Sequence, residues 1–247
     1  MPRPCRTRSI LIYSLAFALP FAAYAQSPIL AKAAKPPKTP YYVNPSQLDL
    51  THAIPPPPAQ DSPTTRAELA EIHAIERSRT PALSSAAEAD DKHEDIFLYQ
   101  AILGPHFNPS ALPLTYALSQ HIRNDVSIVD GPLKTWFHRP RPYNFDRTLH
   151  PICSTNQENS YPSGHAFNGY LYAFTLTQLV PEHSAQILAR ADDYSHNRTV
   201  CEAHYPSDLE ASRRAAYILF GALLTNPRFS AELAAARAET RAALNLQ

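Results

Sequence analysis

Three short stretches of the chain hold residues whose types and spacing could handle a phosphate ester. In "SYPSGH", Pro162 restricts the backbone, Ser163 can cap a helix, Gly164 lets main chain approach a ligand closely, and His165 opens an apolar helical run. Free N–H groups and the positive end of a helix dipole favour an anion there, and a first-turn histidine could protonate that anion's leaving group. Upstream, "KTWFHRPRP" carries Lys134, Arg139 and Arg141. Seven residues make nearly two helical turns, so Lys134 and Arg141 are expected on one face, with Pro140 disturbing it and Arg139 as a substitute for Arg141 if the helix kinks. Downstream, "NRTVCEAHYPSD" carries Arg198, His204 and Asp208. A helix starting at Pro206 puts Asp208 in its first turn, able to hold one nitrogen of His204 and leave the other free to attack. Together these supply what phosphoryl transfer needs: cations around the equatorial oxygens, an oriented nucleophile and an acid.

The elements that must position these residues are helical. Residues 26–63 are rich in Pro, Lys and small side chains, with "IPPPP" at 54–58, and are expected to form an arm outside the core. From Thr64 or Thr65, either able to cap, apolar residues recur at three- and four-residue spacing, and the runs continue at 84–103, 110–123, 125–138, 165–179, 184–198, 207–224 and 229–244. Hairpin signals are largely missing, because the Asp-Gly at 130 is followed by Pro132. The expected fold is all-α, a single helical bundle over 64–247.

The setting follows from the N-terminus and from composition. Arg3, Arg6 and Arg8, an apolar run from Ile10 to about Ala23, and Ala23-Tyr24-Ala25 read as a signal peptide over 1–25, which predicts a periplasmic or secreted protein. The run is shorter than the roughly 20 residues of a spanning helix, and no later segment is long and apolar enough to span. Export leaves Cys153 and Cys201 as an even pair, for which a disulfide is expected. A net charge of zero gives no reason to expect nucleic acid, so any anion must be bound locally. The pairs Asp90-Asp91 and Asp192-Asp193 lack ligand spacing and read as solvated helix faces, not metal sites. His138, His183 and His196 read as surface or supporting groups, whereas Tyr161 and Tyr205 flank site residues and could border the leaving group.

Lys134-x6-Arg141-Pro142, then Pro162-Ser163-Gly164-His165, then Arg198-x5-His204-x3-Asp208 resembles the three-part signature of the type 2 phosphatidic acid phosphatase and vanadium haloperoxidase superfamily. "SYPSGH", "VCEAHYPSD" and the export signal are most similar to its bacterial class A non-specific acid phosphatases. The resemblance implies that His204 is a nucleophile forming a phosphohistidine, Asp208 its orienting carboxylate and His165 the general acid. It also implies that Lys134, Arg141, Arg198, Ser163 and the Gly164 backbone cradle the phosphate. It further implies small phosphate monoesters as substrates and no cofactor, with oligomeric state left open. Asn197 stands where the family usually has serine and Glu202 where it usually has glycine, and a carboxylate there is expected to shift pH behaviour or substrate range. Two other readings remain: a vanadate-dependent haloperoxidase using the same pocket, and a non-catalytic phosphate-binding protein.

Overall fold

The computed structural model describes Met1 and residues 38–246; apart from Met1, the segment read as a signal peptide lies outside these residues. Ten α-helices and three short 3-10 turns follow one another among them, with a single isolated bridge between Pro140 and Asn159 and no strand. In chain order the helices are α1 Leu50–Ala53, α2 Pro63–Ser78, α3 Pro81–Lys92, α4 Gln100–Leu103, α5 Pro113–Phe137, α6 Pro142–Phe145, α7 Gly164–Leu179, α8 Ser184–Val200, α9 Pro206–Leu224 and α10 Pro227–Ala243.

Proline sets many of the starts. Pro63, Pro81, Pro113, Pro142, Pro206 and Pro227 each stand first in a helix, where the missing N–H is no loss and the fixed φ suits the first turn. Ser62, not Thr64 or Thr65, caps α2 by accepting from the Thr65 amide at 3.1 Å. The runs expected at 110–123 and 125–138 are one helix, α5, which continues through Gly131-Pro132. The run expected at 84–103 instead breaks after Lys92, where Asp95 caps the 3-10 turn Ile96–Tyr99.

Helix α7 lies at the centre, packed against α5, α8, α9 and α10, and every residue from Ala166 to Leu176 is buried. A helix enclosed on all sides tolerates little extra volume. Gly169 shows the limit, because a Cβ there would meet the Tyr194 ring at 2.7 Å, and Tyr194 is fully buried with its hydroxyl on the His93 carbonyl. Gly169→Ala is therefore expected to destabilise the protein by about 1–3 kcal/mol, read as a lower urea midpoint with unchanged slope.

The Pro-rich stretch does not stay outside the core. Tyr42, Val43, Leu50 and Ile54 are buried in the main hydrophobic cluster. Extended chain needs partners for its amides when it is buried. Asp125 of α5 provides them, accepting from the backbone of Tyr41, Tyr42 and Val43 at 2.7, 2.8 and 3.1 Å. That interaction joins two segments far apart in sequence, and no periodicity announces it.

Candidate active site

The N-terminus of α7, the C-terminal halves of α5 and α8, and the loop ahead of α9 converge on a cavity of roughly 1100 Å³. Lys134, Arg141, Gly164, His165, Arg198 and His204 all line it. Ser163 and Asp208 do not; both are fully buried behind the wall. The Ser163 hydroxyl caps α7, accepting from Ala166, while its amide and carbonyl both bind the Ser212 hydroxyl.

Lys134 and Arg141 do not share a helix face. Helix α5 ends at Phe137, His138 takes the left-handed conformation at φ 48°, and Arg141 caps the separate helix α6. The two cations meet across this turn, and Arg141 is held by the carbonyls of Asn159 and Ala203 at 3.3 Å each. His138 is exposed and does not line the cavity. Arg139 is no substitute for Arg141, because it points behind the site, to Asp208 Oδ1 at 2.6 Å and Glu68 Oε2 at 2.8 Å, with its guanidinium 3.8 Å from the Tyr205 ring centre. Tyr161 and Tyr205 are core residues and do not border the cavity.

His204 is 1% exposed, and neither ring nitrogen has a hydrogen-bond partner. Its Nδ1 lies 3.4 Å from Asp208 Oδ2, close enough for ion pairing but not aligned as a hydrogen bond. That oxygen accepts from the Tyr205 amide at 2.9 Å, so the first turn of α9 fixes the carboxylate beside the ring. Burial, then the charges of Arg141, Lys134 and Arg198, push the His204 imidazole well below its ordinary pKa. The ring therefore stays neutral in mildly acidic solution. Buried polar atoms without partners collect around the same space: both His204 nitrogens, Arg198 Nε, Asp130 Oδ1 and Asn168 Oδ1. Such atoms are costly unless a ligand meets them.

Four carboxylates escaped the sequence reading. Asp90 and Asp91 are not a solvated face. Asp90 is buried and takes Arg190 and Asn197, whereas Asp91 Oδ1 holds Arg198 at 2.6 Å. Glu94 Oε1 lies 2.9 Å from His165 Nε2, and that interaction, working against burial, holds the Glu94 carboxyl at about 2. Asp130 Oδ1 is 3.4 Å from Lys134 Nζ. Only Asp130 had a local signal, four residues before Lys134; the others meet partners about 70 to 110 residues away.

Glu202 turns away from the cavity. It adopts the left-handed conformation at φ 60°, its side chain is fully buried, and Oε1 pairs with Arg79. Arg79 also donates to the carbonyls of Val200 at 3.2 Å and His150 at 3.0 Å. Asn197 reaches Asp90 at 2.7 Å and so braces α8 on α3. A disulfide joins Cys201 to Cys153 beside these contacts, tying the His204 loop to the segment whose Ser154, Asn156 and Gln157 line the cavity.

Residues 111–230 match the model of the PAP2 superfamily, which spans all three blocks. Non-specific acid phosphatases of Salmonella typhi and Salmonella typhimurium are 31% identical over 205-residue alignments that cover 78% of this chain and 80% of theirs. The non-specific acid phosphatase of Providencia stuartii is 27% identical, with 81% of this chain and 84% of that protein covered. The chain belongs to the PAP2 superfamily, as a class A-like acid phosphatase.

Proposed function

We propose that this enzyme is exported and hydrolyses small phosphate monoesters, without a metal ion, through a phosphohistidine at His204. The observation that carries the reading is a buried imidazole, its pKa depressed and its nitrogens unpartnered, facing a cavity lined by Lys134, Arg141 and Arg198 among its cations. In the first step a His204 nitrogen bonds to phosphorus, the ester P–O bond breaks, and His165 gives its proton to the leaving oxygen. In the second, water attacks phosphorus and returns a proton to His165, the P–N bond breaks, and phosphate leaves. Asp208 orients the imidazole and stabilises the charge it gains, and Arg139 in turn holds Asp208. Lys134, Arg141 and Arg198 spread over the equatorial oxygens, with the amide end of α7 at Gly164 beside them. A nucleophile whose pKa is depressed remains available as pH falls below the ordinary histidine range, which suits catalysis in acid.

These cations already bring the positive charge that a metal would otherwise supply. Initial rates on a panel of alkyl and aryl monoesters are therefore expected to survive exhaustive EDTA treatment. Complete loss that is restored by added divalent ion would overturn the metal-free reading, and bromination of a test substrate with vanadate, bromide and peroxide would place the chain among the haloperoxidases. Mass analysis of exported protein should show a chain beginning at Gln26.

A further inference from the structure

One cavity group has no task in that mechanism. Asp130 projects from α5 one turn before Lys134, into the part of the cavity that Lys134, Arg141, Arg198 and the Gly164 end of α7 line. Its Oδ1 is buried without a hydrogen-bond partner. Its Oδ2 occupies the place beside Gly164 that a side chain would need, 3.0 Å from where a Cβ would stand. The carboxyl thus sits against the helix N-terminus expected to receive a phosphoryl oxygen. An ionised carboxylate can only accept hydrogen bonds, and so can a fully deprotonated phosphoryl group. The two repel unless a proton lies between them.

We propose that Asp130 is a specificity-determining residue: its carboxylate accepts the P–O–H of a bound phosphoryl group that brings its own proton, so the pocket prefers such phosphate species over sulfate, a dianion that brings none. This rests on the phosphatase reading, because it assumes that the phosphoryl group sits among Lys134, Arg141 and Arg198. With a monoanionic ester, the P–O–H donates to Asp130; a dianionic ester, like sulfate, brings no proton and is held there only when the carboxyl takes one up from solution. Phosphate esters lose their second proton near pH 6, so the monoanion dominates in the acid range where His204 remains neutral. The groups that face Asp130 across the cavity are Lys134 from α5, Arg141, His165 from α7, Arg198 from α8 and His204, with Asp91 and Glu94 beyond. Burial raises the Asp130 carboxyl above its usual value, against the pull of Lys134, Arg141 and His165.

Asp130→Asn tests this, since an amide donates an N–H at every pH and removes the need for a proton. In the variant, the inhibition constant of sulfate relative to phosphate at pH 5 is expected to fall at least about tenfold, and the alkaline decline of kcat/KM to move to higher pH. A role in packing alone would lower the melting temperature or kcat and leave both readouts in place, and an unchanged ratio with an unchanged pH profile overturns the proposal. Should the variant not fold, the wild type gives the answer by calorimetry in buffers of different ionisation enthalpy. Sulfate binding at pH 8 is then expected to take up about one proton more than binding of inorganic phosphate, which still carries a P–O–H of its own at that pH, and equal uptake by the two anions overturns the proposal. Wild-type protein that binds phosphate in preference to sulfate but hydrolyses no monoester would sink the catalytic reading and leave the role of Asp130 standing.

Discussion

Replacing His204 with alanine is expected to lower turnover of every phosphate monoester by at least about a thousandfold, the order that follows when a nucleophile is removed. The loss should not depend on the leaving group, because the missing bond is the one to phosphorus. Rapid quench of the wild type with labelled substrate should trap a phosphoenzyme that is acid-labile and base-stable, as a phosphoramidate is, and His204→Ala should trap none. The fold should survive the change, since no hydrogen bond of the ring is lost and Asp208 keeps its bonds to Arg139 and the Tyr205 amide. Label on another residue, or near-normal turnover in the variant, would remove His204 from its role.

His165→Ala should separate substrates that His204→Ala treats alike. An alkyl alcohol leaves poorly without a proton, so hydrolysis of an alkyl phosphate is expected to fall by about a hundred- to ten-thousandfold. Nitrophenolate leaves unaided, and nitrophenyl phosphate should lose far less. Two histidines with opposite requirements, one neutral and one protonated, give a bell-shaped profile in the wild type. The limb that belongs to the acid should be lost in the variant with nitrophenyl phosphate. Equal losses on both substrates would mean that His165 binds phosphate without donating a proton to the leaving oxygen. Glu94 lies 2.9 Å and the Asp91 carbonyl 3.2 Å from Nε2, so if His165 is the acid, Nδ1 is the nitrogen that must serve the leaving oxygen.

The helices could be read because their signals are local. Three- and four-residue spacing marks α2 and α7 to α10 closely, with proline at the first position of α2, α9 and α10, whereas α5 runs unbroken through Asn124, where the apolar pattern reads as two helices. The segment holding Tyr42 and Val43 was misjudged because its burial depends on Asp125, some eighty residues away. The site divides in the same way. His165, His204 and the cations lie in contiguous blocks whose spacing carries the chemistry, and all of them line one cavity. The carboxylates on Arg198 and His165 come from α3 and the turn after it, where no neighbouring residue reveals the task. Arg139 shows how neighbouring arginines mislead: two residues apart, the two side chains serve different places, one held by Asp208 and Glu68 behind the site, the other on the cavity.

The buried pair of Arg79 and Glu202 carries a historical implication. A carboxylate at 202 without Arg79 would be an uncompensated charge in the interior, a loss of about 3–5 kcal/mol in most proteins, on top of a backbone conformation that favours glycine. Arg79 without Glu202 loses much less, because the carbonyls of Val200 and His150 still receive its donors. The tolerable order of substitution is therefore arginine first and glutamate second. Once both are present, Arg79 cannot be lost while Glu202 remains, so the way back must open at position 202 and the turn that presents His204 constrains a residue more than a hundred positions away.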